Sequence, residues 1–269
     1  MKVLCEGFGY VGKAYALLLR ELGHDILVIT AQDKTHDDAV EYGFRTVFDR
    51  NEEFDVAIVA VPTPTIKDKQ DNSILESVLH QLSLRPRIKN LIIKSTVLPS
   101  EITRLEKKYK KWNQDFYLYP EFLEAKNPIG GVFNQTCCVF GKTGKWSIKQ
   151  RLFVCELFGL DIKRVSFTNL ATASMLKYIH NIWLSCNVSF WNAISRCTKL
   201  HNVNYELVLD ETHKSKYFGA HPWHIGTAYG GACLPKDIKA FVSSVEGNSV
   251  FKKFIKAIDD VNEEVEKNE

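Results

Sequence analysis

A glycine-rich segment near the start of the chain is the feature that most constrains its fold. Residues 2–6 read Lys-Val-Leu-Cys-Glu, and residues 7–12 read Gly-Phe-Gly-Tyr-Val-Gly before a helical pattern begins. In a strand, tight turn and helix of this kind, Gly7 makes the turn, Gly9 lets the backbone approach a pyrophosphate, and Gly12 packs helix against strand. The segment therefore predicts a dinucleotide-binding unit; the alternative is a glycine-rich turn that binds nothing.

Short β-branched runs, such as residues 25–30 and 54–61, alternate with helical patterns through the first half of the chain. This alternation is typical of a parallel sheet covered by helices on both faces. From Asn169 to about Leu200 one long helix is predicted, apolar on more than one face and so buried nearly all round. We expect an α/β fold: a Rossmann-like doubly wound parallel sheet over residues 1–167, followed by an all-α central domain over residues 168–269 that is built on the long helix.

Composition narrows the class of protein. The 269 residues carry 35 Lys and Arg against 32 Asp and Glu, and this small net charge of +3 argues against a nucleic-acid partner. No apolar run reaches the roughly 18 residues that span a bilayer, and the start of the chain lacks the layout of a signal peptide. The seven cysteines are scattered without a CxxC pair, which favours reduced thiols. These features predict a cytoplasmic protein that binds neither nucleic acid nor membrane.

Five further segments, in chain order, share one resemblance. They are VPTPT at 61–65, KSTVLPS at 94–100, YPEFLEA at 119–125, KYIHN at 177–181 and YGGACLPKD at 229–237. Together with GFGYVG they resemble the UDP-glucose/GDP-mannose dehydrogenase family, especially its UDP-glucose 6-dehydrogenases, over nearly the whole chain. The resemblance implies NAD-dependent oxidation of the primary alcohol of a sugar nucleotide to the carboxylate.

Such a four-electron oxidation needs a nucleophile for the intermediate aldehyde. A thiolate adds to the aldehyde, the thiohemiacetal loses a second hydride, and the thioester is hydrolysed. Cys233 is the candidate because Gly230 and Gly231 leave it accessible, and because Lys236 and the start of the following helix would lower its pKa. The alternative is one more buried structural cysteine.

Other side chains fit the remaining steps. Lys177 and Asn181 are four residues apart on the long helix, so both can meet one oxyanion. The resemblance implies that Asp237 helps to deprotonate the alcohol, that Glu121 hydrolyses the thioester and that Thr96 positions the water. The alternatives are a solvated lysine at 177, a helix N-cap at 237 and a surface carboxylate at 121.

The resemblance also implies binding contacts. The cofactor would be bound by Gly7, Gly9, Tyr10, Val11, Gly12, Thr30, Pro62, Thr63, Thr96 and Lys236. The substrate would be bound by Phe122, Leu123, Glu124, Lys177, Asn181, Tyr229 and Gly230. Thr30 stands where the fingerprint usually has an acid for the ribose, so NAD is expected without excluding NADP, whose 2′-phosphate Lys34 could meet. No metal is expected, since the chemistry needs none.

Three departures from the family pattern bear on the substrate. Ala125 stands where a second glutamate is usual, with Glu124 one position earlier, and Tyr217 replaces an arginine supplied across a dimer interface, with Lys214 or Lys216 as stand-ins. The family's C-terminal nucleotide-binding domain has no counterpart in the sequence. Three arrangements remain open: the two domains and a dimer mate hold the substrate, a separate chain supplies the missing domain, or binding is weak.

The expected partners are a sugar nucleotide and a second copy of the chain, in a homodimer formed through the long helix. Two other functions remain open. One is a two-electron alcohol or hydroxyacid dehydrogenase with a smaller substrate; the other is a non-catalytic dinucleotide-binding subunit.

Overall fold

The computed structural model describes residues 1–47, 49, 52–85, 88–111, 113–123, 127–201, 203–215 and 226–267. The chain divides into two compact units. The first comprises Met1–Pro64 and Gln70–Lys177, and the second comprises Thr65–Lys69 and Tyr178–Glu269. The division falls inside the long helix, and the domain boundary between residues 167 and 168 stays a prediction.

The strands are, in chain order, β1 (Lys2–Glu6), β2 (Asp25–Ile29), β3 (Phe54–Val59), β4 (Thr65–Ile66), β5 (Lys69–Gln70), β6 (Ile88–Ile93), β7 (Asp115–Leu118), β8 (Cys138–Gly141) and β9 (Val165–Thr168). In the described part of the chain, the main sheet has the order β2-β1-β3-β6-β7-β8-β9, and β4 pairs with β5 in a separate hairpin. The pairs of the main sheet are parallel, except that β7 and β8 are antiparallel.

The helices of the first unit are α1 (Tyr10–Glu21), α2 (Asp33–Glu41), α3 (Ser73–Leu84), α4 (Pro99–Tyr109), α5 (Pro128–Phe133) and α6 (Ile148–Phe158). The long helix α7 (Leu170–Leu200) begins in the first unit and continues into the second, which also contains α8 (Tyr205–His213), α9 (Leu234–Ser244) and α10 (Val250–Glu266). No helix among the described residues is long and apolar enough to cross a membrane.

Two apolar cores lie on opposite faces of the main sheet, because successive side chains of a strand point to opposite faces. Val3 and Cys5 of β1 pack in the core that contains Tyr15 of α1. Leu4, between them, packs in the core that contains Leu75 of α3. The strands are thus buried on both sides, which confirms the doubly wound α/β fold.

The order of the central strands explains where a ligand can bind. The chain passes from β1 to β2 on one side and then returns to β3 on the other. In an open α/β sheet, the carboxyl ends of strands at such a switch point border a crevice. The glycine-rich segment follows β1, and the VPTPT segment begins two residues after β3 ends.

A 3-10 turn occupies Ile162–Arg164, and β9 begins directly after it at Val165. The Asp161 side chain accepts a hydrogen bond from the Lys163 N–H, which stabilises that turn. The long helix is confirmed, and the Trp183 side chain on it is 63% exposed in the single chain.

Candidate active site

The glycine-rich turn after β1 has the geometry of a phosphate cradle. Gly7 has a φ of +97°, and a Cβ there would lie 2.5 Å from the Ala60 carbonyl oxygen. A Cβ on Gly12 would lie 2.0 Å from the Gly7 carbonyl oxygen, so neither position accepts a side chain. At Gly9, by contrast, an added Cβ would meet no atom within 4 Å. The backbone before α1 is therefore open at Gly9, and the residues present fit a bound pyrophosphate.

The side chains predicted to bind the cofactor beside this turn differ in exposure. Tyr10 is 59% exposed, and Val11 is partly buried. Pro62 is exposed, whereas Thr63 is buried and its hydroxyl donates to the Thr96 carbonyl oxygen at 2.7 Å. That bond joins the segments after β3 and β6 at the carboxyl edge of the sheet. Thr96 itself is partly buried.

Glu121 and Lys177 form a buried ion pair in the first unit. Glu121 lies just after β7, Lys177 is on α7, and the Lys177 Nζ is 3.1 Å from the Glu121 Oε1. Glu121 Oε2 accepts the Leu123 N–H at 2.7 Å. Burial raises the pKa of the Glu121 carboxyl, but Lys177 and this backbone donor outweigh burial and hold the pKa below its usual value. Glu121 is therefore an ionised, buried carboxylate rather than a surface group.

Lys177 also has an aromatic neighbour, since its Nζ lies 5.6 Å from the centre of the Phe122 ring. Both side chains of the ion pair are nearly closed to solvent, so the solvated lysine considered from the sequence is wrong. Phe122 borders a cavity of about 360 Å³ in the first unit. The other described residues lining this cavity are Asn127, Gly130, Gly131, Asn134, Gln135, Thr136 and Cys137.

Lys94, which follows β6, is a buried group that the sequence interpretation missed. Its side chain is 1% exposed, and its Nζ has no hydrogen-bond partner among the described residues. The Nζ lies 3.7 Å from the centre of the Tyr15 ring and 3.4 Å from that of Tyr119. Both tyrosine hydroxyls donate to the Gln135 Oε1, which fixes the two rings against the amine. Burial lowers the pKa of Lys94 well below its usual value, with Glu121 opposing the shift.

We expect Lys94→Met to stabilise the protein, because a buried group without a hydrogen-bond partner costs about 1–3 kcal/mol. The lowered pKa of Lys94 also determines how the free energy of unfolding changes with pH. The unfolded chain binds a proton that the folded chain does not, so this term makes the free energy of unfolding of the wild type rise with pH until about 10.5. The variant should lack that rise. Urea unfolding at several pH values measures both effects.

The matched control is Lys142→Met, since Lys142 is also buried but its Nζ donates to the carbonyl oxygens of Thr143 and Lys145. This control should not be stabilised. If Lys94→Met unfolds at a lower urea concentration than the wild type at every pH, Lys94 contributes favourably and the interpretation is wrong.

A second polar cluster lies in the second unit. Asp237 on α9 is 1% exposed, and its Oδ2 accepts a hydrogen bond of 2.6 Å from the Asn181 Nδ2. Its Oδ1 is paired with the Lys236 Nζ. The N-cap of α9 is Cys233, so the N-cap alternative for Asp237 is wrong. Asp237 instead joins Asn181 of α7 and Lys236 of α9 in one buried network.

The segment that leads to Cys233 is anchored within the second unit by polar side chains that the sequence interpretation missed. Asn192 accepts the Gly226 N–H and donates to the Thr227 carbonyl oxygen. Asn262 makes the same double contact with the backbone of Tyr229. In the sequence, each of these anchors is indicated only by an asparagine within an amphipathic helix, Asn192 in α7 and Asn262 in α10.

Cys233 itself is exposed at the start of α9. Gly231 has a φ of +79°, and an added Cβ at Gly230 or Gly231 would meet no atom within 4 Å. The Cys233 thiol thus follows an open stretch of backbone. Cys5 differs in being buried, and burial raises the pKa of its thiol to about 12. The alternative of a buried structural cysteine is wrong for Cys233.

The remaining predicted binding residues are placed as follows. Tyr229 is buried, its hydroxyl donates to Asp259 at 2.9 Å, and its backbone N–H and carbonyl oxygen are both bonded to Asn262. Thr30 is partly buried at the end of β2. Lys214 is paired with Glu211. The predictions for Glu124, Ala125, Lys216 and Tyr217 lie outside the described residues. Within the described part of the chain, no group of three or more His, Cys, Asp or Glu side chains could hold a metal ion.

Two sequence models of one family match this chain. The "UDP-glucose/GDP-mannose dehydrogenase family, NAD binding domain" matches residues 32–154, and the "central domain" of the same family matches residues 171–264. The GDP-mannose 6-dehydrogenase of Pseudomonas syringae pv. tomato is 27% identical over 280 residues. That alignment covers 89% of this chain and 63% of the relative, so the chain spans less than two thirds of that enzyme's length.

Solved structures support the fold. A UDP-glucose dehydrogenase from the hyperthermophilic archaeon Pyrobaculum islandicum superposes with a TM-score of 0.83 at 22% identity, over 98% of this chain and 68% of that one. A 3-hydroxyisobutyrate dehydrogenase from Mycobacterium tuberculosis superposes with a TM-score of 0.71 at 12% identity, over 98% of this chain and 92% of that one. The second structure is thus matched over nearly its whole length.

Proposed function

Because the chain belongs to the UDP-glucose/GDP-mannose dehydrogenase family, with its NAD-binding and central domains, we propose that it oxidises the 6-hydroxyl of a sugar nucleotide of the UDP-glucose type to the carboxylate. NAD supplies the hydride acceptor for both oxidation steps. The proposal assigns Cys233 as the nucleophile that converts the aldehyde into a thiohemiacetal and then a thioester. The observation that carries it is the exposed thiol at the N-cap of α9, where the helix N-terminus favours a thiolate.

The polar clusters of the two units supply the proposed acid, base and oxyanion groups. Lys177, a buried cation paired with Glu121, would stabilise the negative oxygen that develops during each oxidation. Asn181, held by Asp237, would donate a hydrogen bond to such an oxygen. Glu121, kept ionised by its partners, is suited to accept a proton from the water that hydrolyses the thioester. Thr96 would orient that water.

Binding roles complete the proposal. The cradle at Gly9 would hold the pyrophosphate of NAD, with Tyr10, Val11, Pro62, Thr63 and Lys236 as further cofactor contacts. Phe122, Leu123, Tyr229 and Gly230 would contact the sugar. Phe122 supports this role because it lies beside both the Lys177 amine and an open cavity.

The test is the stoichiometry of the purified protein on a series of sugar nucleotides with NAD. We expect two NADH per molecule of acid formed, measured by absorbance and by chromatography of the product. No turnover with any sugar nucleotide, despite NAD binding, would contradict the proposal and favour a non-catalytic subunit that works with a partner chain.

A second candidate function is a two-electron dehydrogenase for a smaller hydroxyacid. It is favoured by the likeness to the 3-hydroxyisobutyrate dehydrogenase structure, which this chain covers almost completely. This candidate predicts one NADH per product and no requirement for the Cys233 thiol. The same stoichiometry measurement, extended to small hydroxyacids, separates the two candidates.

We also propose that the chain forms a homodimer through α7. Ile179, Trp183 and Phe190 are 54%, 63% and 47% exposed and lie on one face of the helix. A second copy would bury this face against its own counterpart. We expect Trp183→Glu to yield a monomer by sedimentation velocity. Leu200→Glu, on another face of α7, should leave the dimer intact; a monomeric wild type would contradict the proposal.

We also propose a cytoplasmic location. The seven cysteines form no disulfide, which is the usual state of cysteine in a reducing compartment.

A further inference from the structure

The end of β2 carries two hydroxyl groups where a carboxylate is usual in dinucleotide-binding folds. The Gly7 N–H donates to the Ile29 carbonyl oxygen at 2.7 Å, so the residue after β2 lies beside the glycine-rich turn. In such folds an acid at the end of the second strand binds the ribose 2′-hydroxyl of NAD and disfavours the 2′-phosphate of NADP. Here that residue is Thr30, and its hydroxyl oxygen is 2.5 Å from that of Thr35 on α2.

The direction of this hydrogen bond follows from counting protons. A threonine hydroxyl has one proton to donate and two lone pairs to accept. The Thr35 hydroxyl donates its proton to the Gln32 carbonyl oxygen at 2.9 Å. The bond between the two threonines must therefore be donated by Thr30. Its oxygen then has no proton left and offers only a lone pair to a ligand.

We propose that Thr30 is the residue that sets cofactor selectivity, and that Thr35 fixes it as a neutral acceptor for the ribose 2′-hydroxyl. A neutral acceptor binds the hydroxyl proton of NAD as a carboxylate does, but it does not repel a 2′-phosphate by charge. Because a 2′-phosphate presents mainly acceptor oxygens, the wild type still favours NAD, by a modest factor. This inference rests on the family's use of NAD and not on the identity of the sugar nucleotide.

Two charged side chains near Thr30 offer an alternative contact for the ribose. Asp33, the first residue of α2, and Lys34 are both exposed. If Asp33 bound the ribose in place of Thr30, selectivity would depend on that carboxylate, and Asp33→Asn would weaken NAD binding. If Thr30 binds the ribose, Asp33→Asn should leave the dissociation constant of NAD unchanged within about twofold.

The experiment measures the dissociation constants of NAD and NADP by calorimetry at one ionic strength, in the full chain and its variants. We expect the wild type to prefer NAD by about tenfold or less. Thr30→Asp restores the carboxylate and should raise this preference by about tenfold, through weaker NADP binding. Thr35→Val frees the Thr30 proton for a phosphate oxygen and should lower the preference by about threefold, through tighter NADP binding.

Thr103→Val is the matched control, because it removes a hydroxyl that donates to the Pro99 carbonyl oxygen within α4 of the same unit. Its two dissociation constants should equal those of the wild type. The inference is overturned if the wild type prefers NAD by more than about a hundredfold, if Thr35→Val leaves the preference unchanged, or if Asp33→Asn weakens NAD binding. Since binding is measured without turnover, a protein that oxidises no sugar nucleotide but shows these shifts would refute the proposed reaction and support this inference.

Discussion

Cys233→Ser is expected to lower the rate of acid formation by about 10³-fold or more, as the loss of a catalytic nucleophile does in other enzymes. A serine hydroxyl at the N-cap of α9 stays protonated near neutral pH, so it adds poorly to an aldehyde. Without the thiohemiacetal, the second hydride has no donor. Assays of acid product and of NADH formed, with the sugar nucleotide that the wild type prefers, measure the loss.

The matched control for this prediction is Cys197→Ser, which alters another exposed cysteine in the second unit. That variant should keep wild-type turnover, and circular dichroism should show that both variants are folded. If Cys233→Ser forms acid at the wild-type rate, the thioester route is refuted. If wild type and variant both yield one NADH, the two-electron dehydrogenase is the better assignment.

The parts of the fold that follow local rules were predictable from the sequence. The glycine-rich turn needs a positive φ at Gly7 and no side chain at Gly12, and each requirement is met by the residue at that position. The alternation of β-branched runs with helical patterns likewise gave the doubly wound sheet. The hairpin of β4 and β5 was missed because its turn residues are Lys67 and Asp68, with φ of 49° and 62°, where such turns usually carry Asn and Gly.

The site was predictable in its members but not in its contacts. Glu121 and Lys177 are 56 positions apart in sequence, and their ion pair depends on how α7 begins within the first unit. Lys94 was missed because a lysine is normally solvated, and its burial follows from Tyr15 and Tyr119, which lie on other elements. Local sequence gives residue types at an element's end, whereas long-range packing decides which of them meet.

Lys177→Met tests both the stability and the chemistry of that ion pair. Removing one partner of a buried ion pair usually costs about 3–5 kcal/mol, because the other charge is left buried without compensation. Here the Glu121 carboxylate would keep the Leu123 N–H but lose its nearest cation. We therefore expect a lower free energy of unfolding in urea, and a kcat lower by about 10²–10³ because the developing oxyanion loses its cation.

The double variant Lys177→Met with Glu121→Gln separates the two effects. A neutral amide at position 121 needs no counter-ion, so the double variant should recover most of the stability while turnover stays low.

The dependence of stability on pH is a second test. In the wild type the lowered pKa of Glu121 stabilises the fold above a pH of about 4.5, and this contribution is lost as the pH falls through the folded-state pKa. In Lys177→Met burial is no longer balanced by the nearest cation, so the pKa of Glu121 should rise and the variant should become less stable with increasing pH. If Lys177→Met is as stable as the wild type at neutral pH, the ion pair contributes nothing to folding. If the double variant regains wild-type turnover, Lys177 has no role in the reaction.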